Sequence, residues 1–270
     1  MAGSTLPGTL CIRADAHASI GIGHVMRCLA LAQAWQDAGG KAVFFCRPLP
    51  PALSRRLHDE GFDCHEIQHE AGTPGDILET TSACLQHSAA WLCVDGYQFS
   101  PHYRSQLKAA GAKLLVLDDL ADSDLSQADA ILNQNSYAVA QMYAAHAPNA
   151  HLLLGARYVL LRREFLRWRD ALRLVPAYAK EVLITLGGSD PTNVTQTVMT
   201  LLGGLRSSRL HLKIILGSAN PHAEPLLARL PMLREVHDAD ILVNPPNLPE
   251  LVSLADVAIT AAGSSAWELA

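Results

Sequence analysis

An α/β protein with largely parallel sheets, divided over two domains, follows from three features of this sequence. Short apolar runs alternate with stretches of helical periodicity from Leu10 onward, the pattern of repeated βαβ units. A glycine-rich stretch, Gly21-Ile22-Gly23, sits where the first strand hands over to a helix. Between Arg162 and Lys180 the composition turns charged and aromatic, through Arg162-Arg163-Glu164-Phe165-Leu166-Arg167-Trp168-Arg169-Asp170 and Val175-Pro176, and a second alternating series follows. That stretch reads as the connection between a domain over residues 1–165 and one over residues 166–270. The 270 residues suffice for two such domains or one large one, and a hydrophobic content of 49% argues against disorder.

The elements follow in order. Thr9-Leu10-Cys11-Ile12-Arg13 reads as a strand, and after it Val25, Cys28, Leu29, Ala32 and Trp35 recur at helical spacing. Further strands are expected over Ala42–Cys46, Trp91–Asp95, Lys113–Asp118 and Ala130–Leu132, with helical patterns between them. The second series starts with Glu181–Leu186, then Gly187-Gly188-Ser189-Asp190-Pro191, where Asp190 has the profile of an N-cap and Pro191 of the first helical residue. It continues through Leu212–Leu216 and Asp256–Thr260. Ala262–Ala270 looks like a loop entering a helix that stops within its first turns, so the second domain is expected to be incomplete.

Composition narrows the function. A formal net charge of −5 and a pI near 6.2 argue against a nucleic-acid partner. The six cysteines all lie within the first 93 residues with no C-x-x-C pair, and read as buried thiols in a reducing compartment. Met1–Gly8 has no charged segment leading into an apolar core, and no apolar run approaches the ~18 to 20 residues that cross a bilayer. A soluble, cytoplasmic, monomeric protein acting on a small molecule is expected, with no membrane partner.

The most informative residue is His24, placed by the glycine turn at a helix start. Ligands of parallel α/β sheets bind at such crossovers, and unpaired N–H groups there favour anions and a neutral imidazole able to take a proton. On the residues alone a second reading stays open: the glycines only make a tight turn and His24 packs or caps. Asp95-Gly96-Tyr97 and Asn133-Gln134-Asn135-Ser136-Tyr137 also follow strands and project to the same sheet edge, where Tyr97 can donate a hydrogen bond or fix a water, and Asn133 or Asn135 can bind hydroxyl or amide groups. Asp95 and Gly96 read equally as a turn. Asp118 and Asp119 point to opposite sides of an extended chain, which suits a cap or loop role better than a metal. The twelve histidines include no H-x-x-x-H pair on a plausible helix, so metal catalysis is disfavoured. Gly187-Gly188-Ser189 and Gly263-Ser264-Ser265 are small-residue loops suited to backbone approach by a nucleotide diphosphate, the second more so because Asp190 puts a negative charge beside the first. Glu268 can accept hydrogen bonds from ribose hydroxyls. Ordinary connectors and an ordinary exposed glutamate are the alternative.

Taken together, these residues resemble one family. Ile12-Arg13-Ala14-Asp15 through Gly21-Ile22-Gly23-His24-Val25-Met26-Arg27-Cys28-Leu29-Ala30-Leu31-Ala32, Asp95-Gly96-Tyr97, the Asn133–Tyr137 loop, Gly155–Phe165, Gly187–Asp190 and Gly263–Leu269 are similar, in order, to the UDP-2,4-diacetamido-2,4,6-trideoxy-β-L-altropyranose hydrolases of pseudaminic acid biosynthesis. The first motif is the specific one; related glycosyltransferases share the later glycine loops. The resemblance implies a GT-B architecture, two Rossmann-like domains facing a cleft, with sugar held by the first and UDP by the second. It implies that water attacks the anomeric carbon with inversion, without a metal or other cofactor. His24 matches the family's catalytic histidine and Tyr97 a tyrosine beside it. Arg13, Asp15, Gly21, Gly23, Arg27, Asn133 and Asn135 fall in its sugar-binding motifs, and Gly187, Gly188, Ser189, Gly263, Ser264, Ser265 and Glu268 in its UDP-binding ones. His17 lies where the family has no essential histidine. Family members continue past Ala270, so the resemblance implies further strands and helices that complete the UDP-binding domain. A GT-B glycosyltransferase with a sugar or lipid acceptor, or a nucleotide-sugar-binding protein without turnover, is the competing expectation.

Overall fold

A computed structural model describes residues 7–17, 20–109, 111–169, 171, 173–174, 176–217, 220–261 and 263–270, with the side chain of Ser264 excepted. The chain forms two compact units, Met1–His17 with His24–Arg162 and Ala18–Gly23 with Arg163–Ala270. The division thus falls after Arg162 rather than after Phe165, and the glycine turn groups with the second unit. Val175 and Asp170 of the expected connection, and Met1 to Leu6, lie outside the described residues.

The first unit is built on seven strands: β1 (Thr9–Ala14), β2 (Lys41–Cys46), β3 (Asp63–Glu66), β4 (Ala89–Asp95), β5 (Lys113–Leu117), β6 (Ala130–Asn133) and β7 (His151–Leu154). They pair in parallel in the order β3-β2-β1-β4-β5-β6-β7. Helices α1 (Gly23–Asp37), α2 (Pro51–Asp59), α3 (Pro74–Gln86), α4 (Pro101–Lys108) and α5 (Ala140–Tyr143) make the connections. β1 and β2 read as continuous apolar runs because they are buried on both faces. Val43, Phe45, Leu92, Val94, Leu114 and Val116 alternate along their strands and so share one face, where Tyr103 and Leu107 of α4 join them. Helix starts are specified locally: Ser100 Oγ accepts Tyr103 N at 3.2 Å with Pro101 as the next residue, and Thr73 with Pro74 repeats the device for α3.

The second unit has β8 (Glu181–Thr185), β9 (His211–Leu216), β10 (Asp238–Val243) and β11 (Val257–Thr260), parallel in the order β10-β9-β8-β11. Its helices are α6 (Arg163–Leu166), α7 (Val194–Gly204), α8 (Ala223–Arg234), α9 (Leu248–Leu254) and α10 (Ser264–Leu269). Val182, Ile184, Leu212, Ile214, Met199 and Leu226 form its core. The start of α7 corrects one expectation. Asp190 and Asn193 both adopt positive φ, 38° and 54°, so Pro191 lies in a turn and the helix begins at Val194. Asp190 still caps it through its side chain, accepting Val194 N and Thr195 N at 2.9 Å each. Ahead of β8, Asp256 Oδ2 accepts Lys180 N and Glu181 N at 2.7 and 2.8 Å, and Arg173 pairs with the same carboxylate.

Candidate active site in the first unit

His24 is the second residue of α1, in the connection leaving β1, and Asp95 ends β4, the neighbouring strand, opposite Ala14. From these two strands the sheet is wound outward in opposite directions, so they flank the point where a doubly wound sheet opens to ligand. His24 Nδ1 lies 2.7 Å from Asp95 Oδ1. Arg27, one turn along α1 and hence on the same helix face, donates Nε to Asp95 Oδ2 at 2.6 Å and Nη2 to Oδ1 at 2.5 Å, a bidentate pair. Burial of Asp95 opposes its charge, but Arg27 and His24 outweigh burial and hold its carboxyl below the usual range. Burial likewise disfavours the charged guanidinium of Arg27, and Asp95 and Asp119 override it in the opposite direction. An ionised Asp95 only accepts, so the shared hydrogen belongs to His24 Nδ1 and the neutral ring keeps its lone pair on Nε2.

A second carboxylate closes the network. Asp119, in the loop after β5, accepts Arg27 Nη1 at 3.0 and 2.9 Å, Asn135 Nδ2 at 2.9 Å and the Tyr97 hydroxyl at 2.9 Å, while its main-chain oxygen accepts the Tyr137 hydroxyl at 3.0 Å. The Tyr97 ring stands edge-on to His24, centroids 5.2 Å apart at 79°, and the residue is 69% exposed. Desolvation of its hydroxyl end and the Asp119 carboxylate push its pKa up to about 12. In this arrangement the Tyr97 hydroxyl gives its hydrogen to Asp119. Both aspartates lie in the loop, as expected, but only Asp118 spends its carboxylate on fixing that loop, accepting Ala121 N at 2.7 Å and the Tyr143 hydroxyl at 2.8 Å.

Several residues expected to meet substrate are committed elsewhere. Arg13 is fully buried and donates to Asp76 at 2.9 and 3.1 Å, to Asp15 at 2.6 Å and to the Phe45 carbonyl at 3.3 Å, with Phe99 under its guanidinium. Asp15, 2% exposed, accepts Arg13, Arg47 N and Gln98. Asn133 is fully buried: its Nδ2 donates to Tyr143 and its Oδ1 holds Asn135 N and Nδ2 at 3.0 and 2.9 Å. A polar residue at a strand end faces inward when a buried partner of opposite character waits there, which spacing does not reveal. Asn135 and Arg27 do stand with His24 and Tyr97. Gly21, at φ 74°, needs a glycine; the start of α1 at Gly23 has no such backbone and open space where a Cβ would go. Asp95 and Asp119 are the residues that sequence reasoning misses, although Asp95 ends the buried apolar run Trp91-Leu92-Cys93-Val94 at the ligand edge, a usable signal.

In the second unit Gly187-Gly188-Ser189 follows β8 and Gly263 precedes α10 beyond β11; these strands are neighbours, so both loops leave one edge at the reversal of strand order. Ser265 and Glu268 lie in α10, and the Ser264 side chain is outside the described residues.

No family model matches the chain. It is 25% identical to UDP-2,4-diacetamido-2,4,6-trideoxy-β-L-altropyranose hydrolase of Campylobacter jejuni, over 93% of this chain and 84% of that protein. It is 23% identical to an uncharacterized protein of Methanocaldococcus jannaschii, over 96% of this chain and about half, 53%, of that one. Among solved structures, a Rickettsia africae glycosyltransferase superposes with a TM-score of 0.59 at 11% identity, over 94% of this chain and 72% of that one. The Anabaena HepE protein in complex with UDP-glucose gives 0.55 at 11%, over 93% and 72%. Described helices include none long and apolar enough to cross a membrane. The chain thus has the two-unit GT-B fold of glycosyltransferases and is similar, along most of its length, to a bacterial UDP-diacetamido-trideoxy-altropyranose hydrolase.

Proposed function

We propose that the protein is a metal-independent inverting hydrolase that releases UDP from UDP-2,4-diacetamido-2,4,6-trideoxy-β-L-altrose, giving the free sugar for pseudaminic acid biosynthesis. The observation that carries this reading is the His24–Asp95 pair at the opening of the first sheet, with Tyr97 beside it. Direct displacement needs a base on the face opposite the leaving group, and an imidazole whose Nδ1–H is held by a carboxylate offers Nε2 for that purpose. UDP is already a good leaving group, so the second unit need only stabilise charge on the diphosphate through Gly187, Gly188, Ser189, Gly263, Ser264 and Ser265, with Glu268 on the ribose. The similarity to the Campylobacter hydrolase supports the substrate class.

Transfer to a sugar or lipid acceptor is the second reading, favoured by the glycosyltransferases among the structural relatives; binding without turnover is a third. Incubating the protein with candidate UDP-sugars, without acceptor, and following UDP release and the product anomer by NMR separates them. Free sugar of inverted configuration is expected. Retention would overturn direct attack by water; where no UDP is released, a parallel incubation with sugar and lipid acceptors decides, turnover there establishing the transferase and binding without release in both arms leaving the third reading.

A further inference from the structure

We propose that Asp119 is a positioning residue that fixes the hydrogen-bond polarity of Tyr97, so that Tyr97 and His24 present two acceptors to a nucleophile carrying two hydrogens, water, in preference to an alcohol. The choice of nucleophile rests on the hydrolase reading; the polarity of Tyr97 does not. Among the described residues every side-chain partner of the Asp119 carboxylate is a donor: Arg27 Nη1, Asn135 Nδ2 and the Tyr97 hydroxyl. Arginine and the amide nitrogen cannot accept, so the hydroxyl alone is able to reverse its role, and the carboxylate prevents it. With its one hydrogen on Asp119, Tyr97 has only lone pairs to offer. His24, with Nδ1–H on Asp95, has only Nε2. The rings meet edge-on at 5.2 Å. Water satisfies both acceptors; an alcohol satisfies one and sets its alkyl group against the other.

In the step itself the water oxygen bonds to the anomeric carbon while the bond from that carbon to the diphosphate oxygen breaks, its electron pair leaving with UDP. One water hydrogen passes to His24 Nε2. The other stays on the new sugar hydroxyl and is held by the Tyr97 oxygen. No further reactant is needed.

Asp119→Asn tests the polarity. Arg27 Nη1 lies against both oxygen positions and so does not choose between the two amide orientations; the nitrogen turns to Tyr97, the partner able to accept, because Asn135 Nδ2, fixed by Asn133 Oδ1, would meet it donor to donor. The hydroxyl hydrogen then turns outward. The turnover number should fall ~10- to 100-fold, the size of one hydrogen bond to a charged group, with the Michaelis constant within ~3-fold. With methanol added, the ratio of methyl glycoside to free sugar should rise in Asp119→Asn and in Tyr97→Phe, and Asp119→Asn should add nothing in the Tyr97→Phe background. A lower rate at an unchanged ratio would reduce Asp119 to a scaffold residue and overturn the proposal. Independently of turnover, the tyrosine Raman doublet, taken as the difference between each protein and its Tyr97→Phe counterpart, should report a donor hydroxyl in the parent and an acceptor in Asp119→Asn. The same signature in both would also overturn it. Should the parent release no sugar while the Raman change appears, the hydrolase reading fails and the polarity of Tyr97 stands.

Discussion

At the scale of single residues the proposed chemistry depends on which nitrogen of His24 carries the hydrogen, and the contact with Asp95 assigns it to Nδ1. His24→Asn keeps size and a hydrogen-bonding end but removes the base, and should lower hydrolysis ~10² to 10⁴-fold while UDP-sugar still binds. Asp95→Asn should approach the same loss, because its amide can donate to Nδ1 and move the hydrogen to Nε2, and the double variant should be little worse than either since the pair acts as a unit. Initial rates with calorimetric binding check this; turnover by Asp95→Asn within a few-fold of the parent would remove the pairing from the mechanism. His24 was legible in the sequence because a glycine turn at a strand end is a local signal. Its partners were not, since Asp95 lies 71 residues from His24 and Asp119 92 residues from Arg27, and only the order of strands brings them together. Arg13 shows the converse: a charged residue inside a specific motif that packs against Asp76, 63 residues away, beneath the sheet edge it was expected to serve.

At the scale of elements the central strands announced themselves and three edge strands did not. β3, β7 and β10 stand at sheet edges, where one side of the strand has no neighbour. β3 is exposed throughout, with Asp, Cys, His and Glu in sequence, and β10 has aspartates at its first and third positions, so neither shows the continuous apolar run of a buried parallel strand. Close packing between loops is equally silent in sequence. A Cβ at Gly217, just past β9, would lie 2.1 Å from the Gly188 carbonyl oxygen, backbone that cannot swing aside. Gly217→Ala should therefore destabilise the second unit by ~1 to 3 kcal/mol and displace the Gly187–Ser189 loop, visible as a lower denaturation midpoint. A neutral substitution there would mean that the loop yields without cost.

For the whole molecule the two-part division was legible from a shift in composition, while the stitch that fastens the incoming segment to the second sheet was not. Asp256 accepts two main-chain N–H groups, from Glu181 and Lys180, and pairs with Arg173, and together these lower its pKa to about 2. A carboxyl depressed in the folded state contributes stability above its unfolded pKa of ~3.9 and loses it as pH falls from there through about 2. Melting temperatures followed from neutral pH downward should show Asp256→Asn starting lower than the parent and falling less steeply below pH ~4. Parallel slopes over that interval would show that Asp256 carries no proton linkage.

The strand order of the first unit also governs when the His24–Asp95–Asp119 network can assemble as the chain is made. β1 joins β4 only after two complete βα units have been synthesised between them, and Arg27 finds Asp119 only once β5 is in place. Such non-local parallel pairing is the slow part of folding, because loop closure precedes any reward from contact. Until it is complete, His24 has no carboxylate to fix its tautomer and Tyr97 no residue to turn it. The proposed hydrolysis therefore requires native topology, and partly folded chains are expected to leave nucleotide sugars intact.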